Sequence, residues 1–163
     1  SMVLSFGLRD SESNVVAMMK FLINVKNPND IFEETSKKKV LFKRYKFIDE
    51  KYQKIMRKAE ENIEGDILFF TYSGDMSISQ YVANELSYKY PHKAIVVVYT
   101  KGNVSNISLR WEKDIRLATV NAIKDIEGSS GGGHEHASGA RLPADKLEVF
   151  RENLFKEIKK LDN

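Results

Sequence analysis

Cysteine is missing from this chain of 163 residues, which excludes a disulfide framework and any thiolate zinc site and is compatible with a reducing, cytoplasmic setting. Histidine is nearly missing too. His92, His134 and His136 are the full set, and no group of aspartates has the spacing of a metal centre. No apolar run is long enough for a bilayer: the longest, such as 94–99, are strand-sized against the ~20 residues that a spanning helix needs, and no signal peptide is recognisable. A disorder bias is also lacking, since hydrophobic residues make up 42% and charged residues 30%, enough to bury a real core.

Strand periodicity is scarce up to about residue 64. Ser11 or Ser13 can cap a helix carrying Val15, Val16, Met18, Met19, Leu22 and Ile23, which Asn27-Pro28-Asn29 ends. A short helix over 28–34 and a long basic helix to about residue 61 follow. The net charge is only +3, yet between Lys37 and Lys58 ten basic residues face two acidic ones. Val40, Leu41, Phe42, Tyr45, Phe47, Ile48, Tyr52, Ile55 and Met56 make this helix amphipathic, so Lys37, Lys38, Lys39, Lys43 and Arg44 line its outer face. Two uses fit that face, a track for a phosphate backbone and an ordinary solvated surface. Its aromatic residues fit base stacking, but their helical spacing favours packing.

From Gly65 the texture changes to alternating strands and helices. The run 66–72 reads as a buried strand, turned by Ser73-Gly74-Asp75 into a helix over 77–90 with Ile78, Tyr81, Val82 and Leu86 on one face and Asp75 and Ser77 as its N-cap pair. Pro91 closes it. The β-branched run 94–99 suits a central strand, and Lys101-Gly102-Asn103 turns it into a hairpin partner over 104–110. A helix with Ile115, Leu117, Val120, Ile123 and Ile126 at helical spacing comes next, then a glycine-rich loop, a strand over 137–142, and a last helix that turns Leu147, Val149, Phe150, Leu154, Ile158 and Leu161 inward. The expected fold is α/β, a small mixed sheet flanked by helices and preceded by a helical connector, with parts 1–64 and 65–163.

Gly131-Gly132-Gly133-His134 followed by Glu135-His136-Ala137-Ser138-Gly139 concentrates the chemistry. Glycine removes side-chain bulk, and its exposed N–H groups can form a nest for anionic oxygens. A Gly/Ser linker is the plainer reading, since Ser129 and Ser130 extend the run. A linker, however, does not usually lead straight into a small-residue strand with Arg141, a proline and a well-patterned helix. His134 and His136, two apart, would point to one side of an extended segment as zinc ligands do, but no third ligand is visible.

Gly131, Gly132, Gly133, His134, Ala137, Ser138 and Gly139 match, position for position, the Gly-Gly-Gly-His-x-x-Ala-Ala/Ser-Gly motif of the DHH-associated domain, so the chain resembles the C-terminal part of DHH-type phosphoesterases. Ser108-Leu109-Arg110 fits the family's upstream Ser-x-Arg element, with Trp111 where many members have a second serine. The branch it looks most like is the archaeal RecJ-like one, with short-RNA and bisphosphonucleotide phosphatases close behind.

That resemblance implies a metal-dependent hydrolase in which an N-terminal domain with an Asp-His-His triplet binds two divalent ions, Mn or Mg. No such triplet is present, and Ser1-Met2 resembles a tag scar, so the chain is expected to be a trimmed piece, with no cofactor of its own and inactive alone. The resemblance further implies that Ser108, Arg110, Gly131, Gly132, Gly133 and His134 hold a substrate phosphate or terminal base. The partners it implies are a single-stranded nucleic acid or short nucleotide, the missing catalytic domain against which 1–64 packs, or a second copy in a dimer; no membrane partner is expected. The alternatives are a non-catalytic nucleic-acid-binding or replication-scaffold module, since relatives also end alanyl-tRNA synthetases, and the clamp of a small-nucleotide phosphatase.

Overall fold

The computed structural model of the chain describes residues 15–16, 19–20, 23–24, 26–27, 36–61, 63 and 65–162, with the side chains of 36–44 and 162 left out. It divides into two compact units, Ser1–Lys54 and Ile55–Asn163. In the first, the residues described at 15–16, 19–20 and 23 are helical, and Val16, Met19 and Ile23 are exposed. The Ser11 or Ser13 cap and the short helix over 28–34 lie outside the described residues. Helix α1 spans Ser36–Glu60, and its buried positions Ile48, Tyr52, Met56 and Ala59 recur at the helical interval.

The second unit is built on the apolar, β-branched run that suits a strand buried on both faces. It becomes β2, Ala94–Lys101, with six consecutive buried residues. On one side β2 pairs in parallel with β1, Ile67–Ser73, and the crossover between them is α2, Ser79–Lys89. On the other side it pairs antiparallel with β3, Val104–Arg110. Lys101 and Val104 are paired, so Gly102-Asn103 is a two-residue turn, and Gly102 has the positive φ of 58° that such turns demand. Helix α3, Ile115–Ile123, leads to a second hairpin, β4 (Ser130–His134) and β5 (Ala137–Pro143), and β5 pairs antiparallel with β3. A single 3-10 turn precedes α4, Leu147–Asp162. The strand order is β1-β2-β3-β5-β4, a mixed five-stranded sheet.

The two faces of this sheet are covered unequally. Helices α3 and α4 pack over one face, where Val96, Val98, Ile107, Leu109, Ala140 and Leu142 meet Ile115, Ala118, Phe150 and Leu154 in one core. Helix α2 packs mainly against β2 and β3 on the other face. Three sequence expectations need correction. Val149 is exposed, because the buried stripe of α4 runs through Phe150, Leu154 and Ile158; on α3 the buried residues are Ile115, Ala118, Thr119, Ala122 and Ile123. Neither Asp75 nor Ser77 caps α2, whose N-cap is Ile78; the Ile78 N–H donates to the buried Tyr72 hydroxyl at 2.8 Å. The glycine run, finally, is not a loop but the edge strand β4. Among the described residues no helix is long and apolar enough to cross a membrane.

Candidate functional site

An antiparallel register puts directly opposed residues on the same face, so the site can be read strand by strand. Arg110 on β3 opposes Ala137 on β5, and Ala137 opposes His134 on β4. Two residues along, Ser108 opposes Gly139, which opposes Gly132. Arg110 and His134 therefore flank the small Ala137 on one face, about 10 Å apart across two strand spacings. That is the face on which His134 of β4 and Arg141 of β5 are exposed.

The floor between the two side chains is bare main chain. A Cβ added at Gly132 would meet nothing within 4 Å, and one at Gly139 would meet only the Ile107 carbonyl, at 3.4 Å. The other two glycines of the run face the opposite way, toward α3. A Cβ at Gly131 would lie 2.9 Å from Ile123 Cδ1, and one at Gly133 would lie 2.5 Å from the Ala137 carbonyl oxygen. Gly131 and Gly133 thus let β4 lie tightly on β5 and α3, while Gly132 opens the floor. The strand is fixed further by Ser138, whose hydroxyl donates to the Gly132 carbonyl at 3.0 Å. Because β4 is extended, alternate N–H groups point away from the sheet instead of converging into a nest.

Each side chain at the site is held by a neighbouring element. Arg110 is half-buried; its Nε donates to Asn84 Oδ1 of α2 at 2.7 Å and its Nη1 to the Leu109 carbonyl at 2.6 Å. Burial lowers its pKa from the ordinary arginine value, but a guanidinium remains charged at any working pH. Among the described residues these two bonds leave Nη2 unengaged, with directed donors available for an oxyanion. Ser108 shares a hydrogen bond of 3.0 Å with Ser79, tying the sheet to the first turn of α2. His134 is exposed, and among the described residues its ring makes no hydrogen bond. The two-residue turn behind it, Glu135-His136, contains no glycine. It is pinned from outside, by the Trp111 N–H donating to the His136 carbonyl at 3.3 Å and the Ile115 N–H donating to the Glu135 carbonyl at 2.8 Å.

Ser108, Arg110, Gly132 and His134 thus share one open face, and Gly131 and Gly133 stand in the same strand with the opposite orientation. Lys37, Lys38, Lys39, Lys43 and Arg44 lie on α1 as helical backbone, and their side chains are outside the described residues. No three His, Asp or Glu side chains gather as a metal site among the described residues. Two residues on this face were not singled out for the site from sequence. Gly139 was visible in the motif but carries no group that chemistry would select. Asn84 sits on a helix remote in sequence, and only the fold brings it to Arg110.

Residues 64–160 match the profile of the DHHA1 domain. The chain is similar to the solved structure of RecJ from Thermus thermophilus, with a TM-score of 0.60 and 11% identity over 87% of this chain and 22% of that one. It is similar also to a pGpG-specific phosphodiesterase from Vibrio cholerae, with a TM-score of 0.61 and 10% identity over 99% of this chain and 55% of that one. It spans about a fifth of the RecJ chain and just over half of the phosphodiesterase. No curated protein matches it. With the family profile over more than half its length and the mixed sheet to go with it, the chain belongs to the DHHA1 family, the DHH-associated domains.

Proposed function

We propose that the part over 65–163 is a substrate clamp: it holds the phosphate-bearing end of a nucleotide or single-stranded nucleic acid while a separate catalytic domain cleaves the phosphodiester. The observation that carries this reading is the shared face of Arg110 and His134 on either side of a floor without side chains. A phosphate settling there meets the free edge of a guanidinium already oriented by Asn84, an imidazole with both nitrogens available, and a backbone close enough for van der Waals contact. Ser108 adds a hydroxyl at the margin.

In this reading the residues of the domain bind and orient, and none of them cleaves. The divalent ions, Mn or Mg, belong to the catalytic domain, and the described residues offer no donor set that fits one. The whole protein would be a cytoplasmic hydrolase of the RecJ kind, and the basic α1 favours a polynucleotide over a small nucleotide, because an extended positive surface serves strand tracking. A dinucleotide substrate is the second reading, supported by the likeness, over nearly the whole chain, to a phosphodiesterase specific for pGpG.

The test is titration of 5′-phosphorylated fluorescent oligonucleotides across a salt series. Arg110→Ala and His134→Ala should each weaken binding about tenfold, as expected for the loss of one charge-assisted contact. Binding that persists undiminished through both changes overturns the clamp and favours a scaffold that contacts nucleic acid elsewhere.

A further inference from the structure

The open face continues beyond the clamp. After the rows Arg110–Ala137–His134 and Ser108–Gly139–Gly132, the register of β3, β5 and β4 produces a third, Asn106–Arg141–Ser130. It lies four residues along the strands from the first, about 13 Å. Arg141 is exposed, and among the described residues it makes no hydrogen bond or ion pair. A carboxylate directly opposite would stabilise a strand arginine across the ladder. Here its two direct neighbours are neutral hydrogen-bonding side chains, and no position on this face of β3, β4 or β5 is acidic. Asn106 is half-buried, and its amide is likewise without a partner among the described residues. On the β2 side the row is closed by Tyr99, buried and donating its hydroxyl to the Gly74 carbonyl at 2.8 Å.

A guanidinium flanked by an amide and a hydroxyl, with no internal counter-charge, is a set of donors for an oxyanion. The bare second row leaves the path between it and Arg110 unobstructed. We infer that the Asn106–Arg141–Ser130 row is a second anion subsite, so that the groove is built for a chain carrying at least two phosphates, one at each arginine, and discriminates against a mononucleotide. This rests on the clamp reading, and it adds the length of the substrate and the direction in which it lies, along β5.

The experiment compares thymidine 5′-monophosphate with 5′-phosphorylated tetrathymidylate by calorimetry, on the whole chain. Arg141→Gln should weaken the tetranucleotide about tenfold and lower its salt slope by about 0.7, the loss of one phosphate contact on a single strand, while the mononucleotide is unaffected. Arg110→Ala should weaken both. Lys124→Gln, which removes one charge from an exposed residue at the end of α3, should change neither and so separates a local subsite from the effect of net charge. If Arg141→Gln leaves the tetranucleotide unchanged, or weakens both ligands alike, the subsite is refuted and the clamp stands. If the wild type binds neither ligand, or Arg110→Ala alters neither, the clamp itself fails and the subsite with it.

Discussion

Gly139 and Gly133 sit on neighbouring strands, and their surroundings predict opposite outcomes for an added side chain. Gly139 has ordinary extended backbone, and its Cβ direction leads onto the open floor. Gly139→Val should therefore leave the fold intact or stabilise it by up to about 1 kcal/mol, since a β-branched residue replaces glycine inside a strand. The same change fills the floor and should weaken nucleotide binding at least about tenfold. Gly133 combines a φ of 149° with an Ala137 oxygen only 2.5 Å from the added Cβ, so Gly133→Ala should destabilise by about 2–4 kcal/mol through strain and overpacking. Urea unfolding beside a binding titration reads both. A Gly139 variant that binds normally would remove the floor from the site. The motif makes these glycines conspicuous in the sequence, but which of them opens a surface and which admits a neighbour depends on the face each takes. That is fixed by the register with the strand over 137–142, which the sequence marks as a strand without saying what it pairs with.

Helix α3 shows where local pattern stops being informative. Its apolar residues are spread round the axis, so spacing alone does not say which of them are buried; the fold uses the stripe that includes the small Ala118 and Ala122 and leaves Leu117 and Val120 exposed. Small residues allow α3 to approach the glycine strand, and their low hydrophobicity hides that role from a periodicity count. The glycine strand eluded local pattern for the same reason: without side chains β4 has no alternation to detect, and only its pairing with β5 makes it a strand. The start of α3 is set more locally. Asp114 is its N-cap, accepting from the Leu117 N–H at 2.9 Å, and that hydrogen bond, aided by Arg116, holds its pKa below the ordinary 3.8. A carboxylate depressed in the folded state stabilises fully above its unfolded pKa and loses that contribution as pH falls through the folded value. Asp114→Asn keeps the capping oxygen but not the charge. The variant should melt slightly below the wild type at pH 7, and the gap should close as the pH drops below about 4. A gap constant from pH 7 to pH 2 would show that the charge at this cap contributes nothing.

On the scale of the whole molecule, most of the chain's basic residues belong to elements other than β3, β4 and β5. The formal net charge is +3, yet ten basic residues fall between Lys37 and Lys58, along α1. The order of strands and helices from residue 65 onward was legible because β2 is a continuous β-branched apolar run and β3 alternates, with a glycine turn between them; the use of α1 was not, since a basic amphipathic helix serves equally as solvated surface or as strand track. Ligand length separates these uses. On the clamp reading a mononucleotide or a tetranucleotide would fill the face of β3, β5 and β4, whereas a strand of about twenty nucleotides would extend beyond it. If Lys37, Lys38 and Lys39 neutralise phosphates of the longer strand, replacing all three with Gln should lower its salt slope by about 2, at roughly 0.7 per phosphate released, and leave the tetranucleotide slope as it was. Equal slopes for variant and wild type on the long strand would assign these lysines to solvent. A reduction of the same size on both ligands would mean that they act through the general field of the protein and not by tracking the strand.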